Sequence, residues 1–264
     1  MGDEPIITTP TMSLYAPDEG ESTQERNQEM GNVLTRAIEE GKHDVPNNPA
    51  PLVCKPTQIE SWRVFKIMAE FVDGFDLLKK YGLAATFFGS VRTQPDHHYY
   101  QEAVELSARL AKEGYAVITG GSAGIMEAGN KGAHDAGGSS IGINIRLEDN
   151  QANNSYLTDS FTFEHFFVRK VMLAFASRVY IYFPGGYGTL DEFTEILTLV
   201  QTKKIKQIPI VLYGKGFWEP VVEMFRTHLL EGYATISEED LALFHVVDSV
   251  DEAFDYIKKT VTDC

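Results

Sequence analysis

Short apolar runs alternate with longer amphipathic ones from residue 83 onward, and this alternation limits the fold more than any other feature. Leu83–Phe88, Tyr115–Thr119, Ser140–Ile145, Phe161–His165, Arg178–Phe183 and Ile208–Tyr213 read as strands, several of them apolar on both faces. Tyr99–Glu113, Met126–Ala136, Phe167–Ser177, Leu190–Lys204 and Trp218–Glu231 carry apolar side chains at helical spacing. Phe244–Val247 reads as an edge strand, and Asp251–Thr260 as a last helix capped by Ser249 or Asp248. Strands followed by helices of ten or more residues imply a mostly parallel sheet covered on both faces. With right-handed crossovers this becomes an α/β, Rossmann-like, doubly wound sheet.

One domain is expected over 58–264. An amphipathic helix over Ile59–Tyr81 leads into it, capped by Ser61 or Thr57. Its apolar residues, among them Trp62, Phe65, Met68, Phe71, Val72 and Phe75, are expected to pack on the domain or on a second subunit. Residues 1–57 are polar, acidic and punctuated by proline, which predicts a flexible N-terminal arm. A weakly amphipathic helix is expected within it, over Ser22–Glu40.

Composition removes several classes of function. A formal net charge of −15 opposes a nucleic-acid surface, which needs a basic patch. No apolar run approaches membrane-spanning length, and the start Met1-Gly2-Asp3-Glu4-Pro5 is not a secretory signal. Cys54 and Cys264 stand far apart, so no disulfide framework is expected and a reducing cytoplasm fits. No H-x-x-x-H or C-x-x-C pattern offers a metal site, and His134 and His165 read as satisfied histidines. No G-x-G-x-x-G follows the first strand, which disfavours a nicotinamide cofactor. No cofactor is expected.

Three strand ends open into glycine-rich turns: Gly89-Ser90, Gly120-Gly121-Ser122-Ala123-Gly124, and Pro184-Gly185-Gly186-Tyr187-Gly188-Thr189. In open α/β sheets ligands bind outside the strand C-termini. The third turn joins an apolar strand to a helix. Glycine permits φ > 0 and removes side-chain bulk, while a helix start offers unpaired N–H groups and a partial positive charge. A phosphate fits there. Asp191 and Glu192, read as lying in the same first turn, either complement the dipole or face another part of the ligand.

The stretch Pro184–Glu192 resembles the PGGxGTxxE signature of the LONELY GUY family, the cytokinin riboside 5′-monophosphate phosphoribohydrolases, often mislabelled lysine decarboxylases. Phe88-Gly89-Ser90, Thr119–Met126 and the pair Arg169-Lys170 resemble further family segments in the same order. Two departures stand out. Phe166-Phe167-Val168 replaces the usual Met-His-x before the Arg-Lys pair, and Glu127 replaces a glycine. They are expected either to alter the base pocket or to mark a longer-chain subgroup with wider nucleotide specificity.

The resemblance implies hydrolysis of the N-glycosidic bond of a nucleoside 5′-monophosphate, through an oxocarbenium-like ribosyl cation. Arg169 and Glu192 are then the catalytic pair. Gly185, Gly186, Tyr187, Gly188 and Thr189 bind the phosphate, with Lys170 adding charge. Gly89, Ser90, Gly121 and Met126 line the pocket, Thr198 faces the base, and Glu148 meets the ribose. Glu195 is expected either to pair with Arg169 or to face solvent. The family also implies a homodimer or larger assembly. The rival readings are a nucleotide- or molybdenum-cofactor-binding protein without hydrolysis, and a pyridoxal-phosphate lysine decarboxylase.

Overall fold

The computed structural model describes residues 61–146 and 153–261. The arm over 1–57, its helix at Ser22–Glu40, the Thr57 cap and Glu148 lie outside the described residues. The described part runs α1 (Arg63–Leu78), β1 (Ala84–Phe88), α2 (His98–Lys112), β2 (Ala116–Thr119), α3 (Ile125–Asp135), β3 (Ser140–Ile145), β4 (Asp159–Phe163), α4 (Phe166–Phe175), β5 (Val179–Tyr182), α5 (Tyr187–Gln201), β6 (Ile210–Tyr213), α6 (Lys215–Met224), β7 (His245–Val247) and α7 (Val250–Thr260). A π-helical stretch, Phe225–Gly232, prolongs α6.

The seven strands form one sheet in the order β4-β3-β2-β1-β5-β6-β7, parallel throughout. The chain winds outward from β1 to β4, returns to lay β5 against the other side of β1, and winds out again to β7. The switch point therefore falls between β1 and β5, paired in register from Ala85↔Val179 to Phe88↔Tyr182. This is the doubly wound arrangement that the strand–helix alternation implies.

Strand periodicity divides the apolar side chains between two cores. In β1 and β5, Ala84, Phe88, Tyr180 and Tyr182 face the layer formed by α1, α4, α5 and α6. Ala85, Phe87, Val179 and Ile181 face α2, α3 and α7. All these side chains are buried, which is why the strands read as continuous apolar runs rather than as alternating ones.

Two local expectations are corrected, and a third is divided. The fourth strand begins at Asp159, two residues early, because Asp159 pairs with Ile141 and Phe163 with Ile145 of β3. Helix α1 has Trp62 at its N-cap with no side-chain cap, so Ser61 does not fill that role. Its apolar residues also divide. Leu77 is buried, and Ile67, Phe71 and Leu78 pack on the core. Trp62, Phe65, Met68, Val72 and Phe75 stay exposed, because the helix lays only one face on the domain.

Candidate active site

The three glycine turns and the side chains behind them enclose a cleft of about 800 Å³ above the C-terminal ends of β3, β2, β1 and β5. Its position at the switch point is that expected for a ligand in this kind of sheet. Ser90 N–H donates to the Pro184 carbonyl at 3.0 Å and ties the β1 turn to the β5 turn.

Helix α5 begins at Tyr187, inside the glycine motif, three residues earlier than its apolar spacing predicts. Gly186 is the N-cap, with φ −90°. None of Gly185, Gly186 and Gly188 has positive φ, so the expected left-handed turn is absent. What these glycines supply is space. A Cβ on Gly185 would strike the folded-back side chain of Thr189, whereas one on Gly186 or Gly188 would meet nothing within 4 Å. Thr189 N–H donates to the Gly186 carbonyl at 3.0 Å, which leaves the Gly186, Tyr187 and Gly188 amides as the free ends of this helix start.

The early start also moves the acids. Asp191 and Glu192 fall in the second turn, and the first holds no acid. Glu192 is therefore not a dipole-complementing residue of the helix start. It is 6% exposed and lines the cleft. Tyr182 on β5 fixes its backbone by donating to the Glu192 carbonyl at 3.2 Å. Trp218 Nε1–H in turn holds the Tyr182 carbonyl at 2.9 Å. Burial pushes the Glu192 carboxyl up to about 7, with Glu195 and Asp191 adding to the rise, while Lys170 and Arg169 pull it down.

Arg169 comes from α4, which packs on β3, and reaches the cleft beside the ends of β3 and β2. Its Nε donates to the Ile143 carbonyl at 2.9 Å, and its guanidinium lies against Gly120, where a side chain would collide with it. Burial lowers its pKa and Glu192 opposes that effect. No ion pair within 4 Å joins Arg169 to Glu192 among the described residues. Both face the same open space.

Lys170 and Thr198 do not line the cleft. Lys170 turns to α5, with Nζ 2.6 Å from Asp191 and 3.2 Å from Glu195. Its charge is held by two carboxylates rather than offered to a phosphate, and Glu195 pairs with it rather than with Arg169. Thr198 is exposed and donates to the Thr194 carbonyl at 2.7 Å, almost two turns beyond Glu192. Gly89, Ser90, Gly121, Met126, Gly185, Gly186, Tyr187, Gly188 and Thr189 all border the cleft with Arg169 and Glu192. His165 is satisfied, with Nδ1 3.0 Å from Glu70 and Nε2 accepting from Arg63 at 3.3 Å.

Beneath the β2 turn lies a buried polar network. Gly121 N–H donates to Thr119 Oγ1 at 2.9 Å, Thr119 Oγ1 to Asn130 at 2.5 Å, and Asn130 to Ser140 Oγ at 2.9 Å. Asn154 closes it from the β3–β4 side, donating to Asn130 at 2.9 Å. Such a network fixes the turn.

Arg92, Asn144, Asn153, Phe166 and Phe217 also line the cleft, and sequence reasoning did not select them. Two carried a signal. Asn144 interrupts an isoleucine-rich strand, and Phe166 belongs to the departure before the Arg-Lys pair. For Arg92, Asn153 and Phe217 the sequence offered none.

A family model described as "Possible lysine decarboxylase" matches residues 126–257, which is half of the chain. The chain belongs to this family, the LONELY GUY family. It is similar to the cytokinin riboside 5′-monophosphate phosphoribohydrolase LOG of Oryza sativa, at 29% identity over 137 residues, covering 51% of this chain and 57% of the rice protein. The chain thus spans little more than half the length of that relative. An X-ray structure titled TM1055 superposes with a TM-score of 0.50 at 26% identity, covering 67% of this chain and 99% of that one. The molybdenum cofactor carrier protein of Chlamydomonas reinhardtii gives 0.52 at 24% identity, with 67% and 96% covered. That likeness speaks to the shared fold alone. Among the described residues no helix of this family member is long and apolar enough to cross a membrane.

Proposed function

We propose that this LONELY GUY-family protein hydrolyses the N-glycosidic bond of nucleoside 5′-monophosphates, AMP and cytokinin riboside monophosphates among them, to free base and ribose 5-phosphate. The observation that carries the reading is Glu192: a buried carboxyl, its pKa pushed up to about 7 by burial, that shares a cleft with a guanidinium and a helix start. A general base works best with a pKa near the operating pH.

In this reading the 5′-phosphate rests on the amides of Gly186, Tyr187 and Gly188 and on the Thr189 hydroxyl. The C1′–N bond breaks with its electron pair leaving on the base. Glu192 is assigned the negative charge that stabilises the ribosyl cation, as glycosidase carboxylates do. Water adds at C1′ and gives its proton to Glu192, which returns it to the departing base. Arg169 orients the ribosyl group by hydrogen bonds that a lysine does not reproduce. A second copy of the chain is proposed to cover the exposed stripe of α1, and a reducing cytoplasm suits the two separated cysteines.

The decarboxylase reading fits poorly. It requires a lysine to bond pyridoxal phosphate, and none of the described residues lining the cleft is lysine. A carrier without hydrolysis needs no carboxyl poised near neutrality.

The test is chromatographic. Purified protein and Glu192→Gln are incubated with AMP and with isopentenyladenosine monophosphate. Free base plus ribose 5-phosphate, reduced by ~10²–10³-fold in the variant, is expected, by analogy with the loss of one transition-state-stabilising group. Binding without cleavage of either nucleotide would favour the carrier reading.

A further inference from the structure

A phosphate monoester carries a charge of about −1.5 to −2 at neutral pH, and the start of α5 offers only about +0.5. Glu192 brings a carboxyl into the same cleft, and the chain as a whole has a formal net charge of −15. A phosphate on the amides of Gly186, Tyr187 and Gly188 is therefore left with about one uncompensated charge. Lys170 does not supply the missing cation, because Asp191 and Glu195 hold its ammonium away from the cleft.

Among the described residues, the remaining cations at the cleft are Arg92 and Arg169. Sheet order separates them. Arg169 stands at the ends of β3 and β2, with Nε on the Ile143 carbonyl and its guanidinium against Gly120. In the order β3-β2-β1-β5, the end of β2 lies two strand spacings from the turn that follows β5, or about 10 Å. Arg92 belongs to the turn after β1, the direct neighbour of β5. Two residues before it, Ser90 N–H is bonded to the carbonyl of Pro184, which leads into Gly185.

An exposed arginine is ordinarily a solvated surface charge. This one is exposed but its backbone is held at both polar groups. Arg92 N–H donates to Ser90 Oγ at 3.1 Å, and the Arg92 carbonyl accepts from Gln94 Nε2 at 3.1 Å. The Ser90 carbonyl accepts from Ile125 N–H at 3.1 Å, which ties the same turn to the start of α3. None of the ion pairs among the described residues takes up the Arg92 guanidinium, which borders the cleft with Gly186, Tyr187 and Gly188. A fixed base and an uncommitted head suit a residue that closes on an anion.

We propose, on the phosphoribohydrolase reading, that Arg92 clamps the substrate's 5′-phosphate against the start of α5 and so sets the preference for a nucleotide over its nucleoside. A guanidinium meets two phosphate oxygens through parallel N–H···O bonds, which an ammonium does not reproduce. The three cations then divide their work: Arg92 holds the phosphate, Arg169 the ribosyl group and Lys170 the helix.

The experiment uses the full chain, Arg92→Gln and Arg92→Lys. It measures kcat and KM for AMP, and calorimetric binding of AMP, adenosine and ribose 5-phosphate, in wild type and in a Glu192→Gln background. Arg92→Gln is expected to lose ~10–100-fold on AMP, the range for one hydrogen-bonded charge partner, through KM rather than kcat. Ribose 5-phosphate is expected to weaken by the same factor and adenosine to bind as before. Arg92→Lys, which keeps the charge but not the fork, is expected to fall between. Tm is expected to hold in both variants, since the side chain is exposed. AMP binding equal to wild type in Arg92→Gln, or equal losses on AMP and adenosine, would overturn the proposal. If wild type binds AMP and ribose 5-phosphate through Arg92 but cleaves no nucleotide, the clamp stands and the hydrolytic reading falls. If wild type cleaves AMP and Arg92→Gln does so with the same KM, the reverse holds.

Discussion

Lys170 Nζ lies 2.6 Å from Asp191 Oδ2, so the cation next to Arg169 in sequence is bound to the acid next to Glu192. Two adjacent residues of α4 thus serve α5 differently. Arg169 reaches over the sheet into the cleft, and Lys170 clamps the outer side of the helix through Asp191 and Glu195. Burial works against the Lys170 charge, but the bond to Asp191 and the nearby Glu192 and Glu195 outweigh it and raise its pKa.

Replacing that clamp shifts a titration. Lys170 holds the Glu192 carboxyl down, against the burial that raises it. Lys170→Met therefore moves the Glu192 pKa above about 7. A base must be deprotonated, so activity at pH 7 is expected to fall several-fold and to recover by about pH 9. A pH profile of kcat/KM for wild type and variant decides this. An unmoved acidic limb would mean that Lys170 acts only as a structural clamp.

Stability and activity oppose each other at Glu192. Folded, the group keeps its proton to about pH 7; unfolded, it loses it near the ordinary carboxylate value of 4.5. Between these values the native state binds more protons, so stability from this group is full below 4.5 and is lost as pH rises through about 7. Glu192→Gln, which cannot ionise, is expected to be up to ~3 kcal/mol more stable at pH 8, with little gain at pH 4.5. Urea titrations at the two pH values measure the difference. Equal stability of the variant and wild type at pH 8 would contradict the raised pKa.

Gly185 and Gly188 separate folding from binding. An alanine at Gly185 collides with Thr189, while one at Gly188 meets open space. Gly185→Ala is expected to cost about 1–3 kcal/mol through overpacking. Gly188→Ala is expected to keep Tm, since alanine suits a helix better than glycine, yet to weaken AMP binding by covering the first-turn amides. Thermal melts with and without AMP distinguish the two. A Gly188→Ala protein that binds AMP as wild type does would move the anion away from this turn.

The exposed stripe of α1 gives a fourth expectation. Phe65, Met68, Val72 and Phe75 recur at three- and four-residue steps, and Phe75 packs edge-on against Phe175 at 6.4 Å. This is the spacing of a helix seam. Light scattering at micromolar concentration is expected to report a dimer or larger species, reduced towards monomer by Phe65→Glu with Val72→Glu. A monomeric wild type would exclude the proposed assembly.

The architecture was legible from residue order because it depends on local regularities. Apolar runs such as Val179–Tyr182 and Ile210–Tyr213, buried on both faces, announce a covered parallel sheet, and the glycine turns mark the strand ends that open onto a ligand. The motif also marked Arg169 and Glu192 as partners. The chemistry of those two residues was not legible. The motif implied a catalytic Glu192, but its raised pKa was not legible: the helix begins at Tyr187 and places Glu192 a turn deeper, where burial acts on it.

What the linear chain determined by itself was the alternation of strand and helix, and hence the sheet; hydrophobic period and glycine position are properties of neighbouring residues. What only the tertiary structure decided was which side chains share a space. Lys170 left the cleft because Asp191 and Glu195 offered it carboxylates across a helix–helix contact. Asn144 came to rest beneath Gly121 because β3 pairs with β2, whose end carries that glycine turn. Desolvation and pairing depend on distance through space, which sequence separation does not encode.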